Sequence, residues 1–217
     1  AVEHGRIIFD NIRKFIIYLL SGNVSEVLVI FLAGLVGAPL PLLPLQILYI
    51  NLIGDVFPAL GLGLGKGFTA VMQRPPRDPR EPVLTKRHWL AVVGYSVVIA
   101  AAVLGAFALA ITKFGMSTKE AISISFITLV ITRLWHVFNM RDRQSGLFIN
   151  EVSVNPYIWI ALAIGAILLL LAIYLPVLAM VLQITAPGVS GWMLILSASL
   201  VPLLVGQTAK FAARIRD

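Results

Sequence analysis

Six apolar blocks dominate this sequence, and most of them reach the length of about 20 residues that a helix needs to cross a bilayer. Inside hydrocarbon, every backbone N–H and C=O must find its partner within the protein, which restricts blocks this long to helices. They fall at roughly 15–36, 43–64, 88–112, 119–140, 155–178 and 190–211. The chain is therefore expected to be an all-α, polytopic membrane protein: a six-helix transmembrane bundle forming a single domain over 1–217. Its charged fraction of 12% agrees, being about half that of a soluble domain. Membrane lipid is its first expected partner.

Charge orients the blocks. With the N-terminus cytosolic and the loops alternating, fourteen of the seventeen Lys and Arg lie on that side. Two, Lys113 and Lys119, lie on the other, and Arg133 sits inside a block. Cytosolic loops carry the Lys/Arg surplus of membrane proteins. Both termini, a charged stalk over 1–14 and a loop over 65–87 are thus expected to be cytosolic. That loop contains QRPPRDPREP, a polar stretch with no apolar period. The link GAPLPL at 37–42 is short and makes the first two blocks a tight hairpin. Cysteines introduced at Arg77 and Lys119 should label from opposite faces, and labelling from one face would contradict this topology.

The net charge of +7 follows from the same bias and does not point to nucleic acid. Without cysteine, disulfides and thiolate metal sites are excluded. His4 and His88 fall in cytosolic stretches, and His136 reads as interfacial beside Trp135, so no zinc spacing arises. Trp89, Trp159 and Trp192 lie near block ends, as interfacial anchors do.

Only Glu26 and Asp55 among ten acidic residues fall deep within blocks, Glu120 standing at the very start of one, and Arg133 is the basic residue deep in one. A charge at that depth costs roughly 3 kcal/mol on insertion scales and usually faces a polar interior or pathway. Each carboxylate has an amide on its own helical face: Asn23 with Glu26 at i,i+3, and Asn51 with Asp55 at i,i+4. The hairpin lets the two faces meet near mid-membrane. Four oxygen-bearing side chains there suit a hard cation such as Ca²⁺, Mg²⁺ or Na⁺. Plain hydrogen bonding between helices would account for either pair alone, but less well for both at matched depth.

In NLIGDVFPALGLGLG, Pro58 cannot donate to the Gly54 carbonyl and crowds it. Gly54 is itself a poor helix former. A broken second helix is expected near 54–58, freeing backbone carbonyls beside Asp55 for an ion. Arg133, in FITLVITRLWHVFN, has two readings. Its side chain either snorkels to the headgroups or is a fixed internal cation paired with Glu26 or Asp55.

These segments resemble a known family. AVEHGRIIFDNIRKFIIYLLSGNVSEV is similar to the stalk and fifth membrane helix of type II, calcium-pump-like P-type cation-transporting ATPases. PLLPLQILYINLIGDVFPALGLG resembles their sixth helix, and MQRPPRDPREPVLT the cytosolic loop that follows. The likeness runs through helices five to ten, strongest over residues 1–90, with ITRLWHVFN the clearest match beyond. It implies that Asn23 and Glu26, with Asn51 and Asp55, coordinate the transported cation. Calcium pumps that carry two ions usually have Thr where Gly54 stands, and an eighth-helix Glu where Arg133 stands. Both departures strike one ion site. The resemblance thus implies at most one divalent ion, held by Asn51, Asp55 and a fourth helix absent from this sequence. Ca²⁺ leads, with Mg²⁺, Mn²⁺, Na⁺ and H⁺ open.

The family's DKTGT phosphorylation motif, nucleotide-binding domain, TGE loop and fourth-helix PEGL motif do not occur in the sequence. The chain opens on Ala1 rather than Met and is expected to be a fragment or split product of a longer pump. The other part would supply the first four membrane helices and the cytosolic domains that use ATP and Mg²⁺. Domain motion would reach Glu26 through the stalk at 3–14. Alone, the chain should neither hydrolyse ATP nor become phosphorylated; acid-stable phosphate taken from ATP by purified chain would contradict this. Two rival functions use the same residues: a stand-alone secondary cation transporter or channel, and a non-transporting membrane scaffold.

Overall fold

A computed structural model of the chain describes residues 2–65, 72, 81–142 and 145–216, with side chains as far as 213. Most of the loop expected over 65–87 lies outside the described residues. Among the described residues the architecture is all-helical, and six helices are long and apolar enough to cross a membrane.

Helix α1 spans Val2–Leu35 without interruption. At 1.5 Å per residue its 34 residues reach about 51 Å, more than the roughly 30 Å hydrocarbon core, so one end projects as a stalk. The expected stalk and first span are therefore one rigid rod. It stops where Gly37 adopts φ +64°, which lets the Ala38 N–H reach back to the Ala33 carbonyl at 3.0 Å.

The second span is built in three pieces: α2 (Pro44–Asn51), a π-helical turn (Leu52–Val56) and α3 (Phe57–Gly63). The expected break is thus a widened turn, and it begins two residues earlier than Pro58 and Gly54 alone suggested. Pro58 sits in the first turn of α3, where its missing N–H is least costly.

Helix α4 (Lys86–Thr112) follows, then α5 (Thr118–His136), which tightens into a 3₁₀ turn at Val137–Met140. A reciprocal cap starts α5: Glu120 N–H donates to Ser117 Oγ at 3.3 Å, and Ser117 N–H donates to Glu120 Oε2 at 2.8 Å. Helices α6 (Pro156–Tyr174), α7 (Pro176–Val181) and α8 (Val189–Arg216) complete the chain.

Helix α5 occupies the centre: 78% of its most apolar window is buried, against 33–39% for the other five spans. Its neighbours α4 and α8 pack on each other as well as on α5, while α1 packs on α4 and α3, and α3 on α6. Ile124, Phe126, Ile127, Leu129 and Val130 of α5 join Val29, Ile53, Ile99, Val103 and Ile195 in the main apolar core. A basic residue on the central helix cannot reach the lipid surface sideways. This placement decides Arg133's environment.

The end of the bundle beside the stalk is laced together. Lys14 Nζ on α1 meets Glu151 Oε1 at 2.7 Å, and Asp142 N–H donates to the same oxygen. Burial works to raise the Glu151 carboxyl pKa, but Lys14 and the backbone N–H groups outweigh it and hold it below the ordinary carboxylate value. Arg141 donates to Gln207 Oε1 at 2.7 Å and to the Ser145 carbonyl at 2.9 Å. These bonds tie Lys14 of the stalk to Glu151 and Asp142, and Arg141 to Gln207 of α8.

Candidate cation site within the bundle

The buried face of α1 runs through Tyr18, Gly22, Ser25, Glu26 and Val29, at spacings of three or four residues. It packs beside the π-helical turn and central α5. Arg133 enters between them and is 1% exposed. Its two terminal nitrogens grip two different acids: Nη1 donates to Glu26 Oε1, and Nη2 to Asp55 Oδ1. Nη1 also lies 3.4 Å from Asn51 Oδ1, and Nη2 3.4 Å from Asn23 Oδ1. All four oxygen-bearing side chains singled out from the sequence therefore converge on one guanidinium. Arg133 is thus buried and bonded to both acids rather than to one.

The cluster is lopsided. Glu26 is nearly sealed, its side chain 6% exposed, whereas Asp55 is 19% exposed. Asn23 lies on the open side and is exposed. Polar groups within the membrane usually face a polar interior or a pathway rather than lipid. Among the described residues no three His, Cys, Asp or Glu side chains group to hold a metal. A cation here would have to be met by two carboxylates, two amides and backbone carbonyls.

Gly54 lies within the π-helical turn, and its carbonyl accepts the Tyr18 hydroxyl at 2.6 Å. The same hydroxyl lies 3.2 Å from the Arg133 carbonyl, joining α1 to both other walls of the cluster. Tyr18→Phe removes these contacts at nearly unchanged volume and is expected to cost about 1 kcal/mol. Thermal unfolding of the parent and the variant in detergent measures it; coincident midpoints would contradict the tie.

His136 is buried between helices, 1% exposed, with Nε2 2.8 Å from Ser21 Oγ and its ring 5.8 Å from that of Tyr18 and 4.7 Å from that of Tyr95. Depth along a block is legible from hydropathy; which face a residue takes on the central helix is not. Trp89 and Trp159 are half-exposed near helix ends, where anchors were expected. Sequence reasoning passed over Tyr18 and Gly22, although the four-residue steps from Tyr18 to Gly22 to Glu26 were the available signal.

Six apolar helices and a buried charged cluster make this a polytopic membrane domain. The profile of the family described as "Cation transporting ATPase, C-terminus" matches residues 39–212, and the chain belongs to that family. It is 38% identical over 208 residues to a calcium-transporting ATPase of Bacillus subtilis, covering 95% of this chain and 23% of that protein. To calcium-transporting ATPase 1 of Bacillus cereus it is 32% identical over 229 residues, covering 99% of this chain and 26% of that protein. The chain thus spans about a quarter of the length of the curated relatives it matches.

Proposed function

We propose that this chain is the C-terminal transport domain of an ATP-driven cation pump, and that it supplies intramembrane ligands for one Ca²⁺ per cycle. Asn23, Glu26, Asn51 and Asp55 are its cation-binding residues, and Arg133 is a built-in counter-cation sharing the site. The observation that carries this reading is the convergence of all four side chains on the Arg133 guanidinium. Two carboxylates and one guanidinium leave a formal charge of −1. Such a site balances one divalent ion more readily than two. Calcium as cargo is supported by the relatives, which are calcium-transporting ATPases.

The π-helical turn supports a role for the backbone at Gly54 and Pro58, since a turn of this kind offers carbonyls displaced from the regular ladder. The exposed side of the cluster, at Asn23 and Asp55, is where the remaining part of the pump would add its first four helices. Cytosolic domains of that part would bind ATP and Mg²⁺, and the rigid α1 stalk would carry their motion to Glu26. Both termini and the loop at 65–87 face the cytosol in this reading, which the Lys and Arg distribution supports.

Equilibrium binding of radiolabelled Ca²⁺ to the complete pump tests the proposal. Saturation at one ion per pump is expected in the parent, with binding lost in Glu26→Gln with Asp55→Asn. Saturable binding that survives both substitutions would overturn it.

A further inference from the structure

We propose that Gly22 and Gly54 are specificity-determining residues: lacking side chains, they open the slot that admits the Arg133 guanidinium between Glu26 and Asp55, and so hold the site's capacity at one divalent ion. This rests on the reading of the cluster as the cation site.

The slot is visible in what a single added carbon would meet. A Cβ at Gly22 would lie 2.6 Å from Arg133 Cζ and 2.7 Å from Nε, and closer still to Nη2. At Gly54 it would lie 3.0 Å from Nε, 3.2 Å from Cδ and 3.3 Å from Cζ. Gly22 lines the slot from α1 and Gly54 from the π-helical turn, and both are buried. Neither φ is positive, so backbone freedom is not what calls for glycine at these positions. Arg133 Nε, which these two residues flank, is buried with no hydrogen-bond partner. Space, rather than an acceptor, is what the two glycines supply.

The two positions differ in severity. Alanine at Gly22 cannot coexist with the guanidinium where it stands, and the guanidinium, being the far end of a flexible side chain, is what would move. Alanine at Gly54 asks for a shift of only a few tenths of an ångström. Once displaced, the guanidinium no longer neutralises Glu26, and a second divalent ion meets two carboxylates without the guanidinium standing between them.

The test is Ca²⁺ bound at saturation by the complete pump, for Gly22→Ala and Gly54→Ala, each with Arg133 and with Arg133→Met. The parent is expected to bind one ion, and Gly22→Ala and Arg133→Met each to rise from one toward two. The Gly22→Ala, Arg133→Met double variant should bind as Arg133→Met alone does. The thermal midpoint should fall with Gly22→Ala beside Arg133 and stay level beside Met. A capacity held at one in Gly22→Ala, or an equal loss of midpoint in both backgrounds, would overturn the slot. Gly54→Ala gives the same comparison under milder crowding and decides it where Gly22→Ala does not assemble. A parent that already binds two ions would instead overturn the underlying reading of the site.

Discussion

Arg133→Ala is expected to destabilise the complete pump by roughly 3–5 kcal/mol, because it strips the partner from carboxylates buried at mid-depth. Arg133 is 1% exposed and touches every member of the cluster. Without it, Glu26 and Asp55 face each other with no compensating charge. A proton or a second Ca²⁺ can make up part of the deficit, so the loss should shrink as Ca²⁺ is raised, since a ligand bound only to the folded state stabilises it. Arg133→Lys should recover only part of the loss. An ammonium keeps the charge but lacks the fork that reaches two acids at once. Thermal unfolding in detergent, with and without Ca²⁺, reads all three effects. An unchanged midpoint for Arg133→Ala would leave the guanidinium without a structural role.

Asp55→Asn is expected to weaken Ca²⁺ binding by about a hundredfold or more, because affinity at oxygen sites follows the count of charged ligands. With Asn at this position, Glu26 and Arg133 cancel, and the cluster offers a divalent ion no net charge. The expected effects of the two acids are unequal. Glu26 is the more deeply sealed, so Glu26→Gln should weigh more on stability; Asp55, on the open side, should weigh more on binding. Equilibrium Ca²⁺ binding and thermal unfolding of both variants separate these outcomes. Equal binding by the parent and Asp55→Asn would contradict the assignment.

Much of this was legible in the sequence because bilayer physics acts on composition. Apolar blocks long enough to span announce helices, and Glu26, Asp55 and Arg133 stand out because hydrocarbon is intolerant of charge. Pairing at i,i+3 and i,i+4 placed Asn23 and Asn51 beside their acids. Contacts between distant helices left no such trace. Lys14 meets Glu151 across 137 residues, and Tyr18 reaches the Gly54 carbonyl across 36. The burial of His136 depends on α5 being central, which follows from how six helices assemble rather than from any one of them. Pro58 announced an irregular helix, but its form, a π-helical turn at Leu52–Val56 lying against α5 and α6, is not readable from Pro58 alone.

In the proposed reading, Glu26, Asp55 and Arg133 form a cation site that holds one divalent ion. Its most direct test is the number of Ca²⁺ ions moved per ATP by the complete pump in sealed vesicles, for the parent and for Arg133→Glu. One ion per ATP is expected from the parent, rising toward two when the built-in cation becomes a third carboxylate. Two ions per ATP from the parent, or a ratio that does not change in Arg133→Glu, would contradict the account.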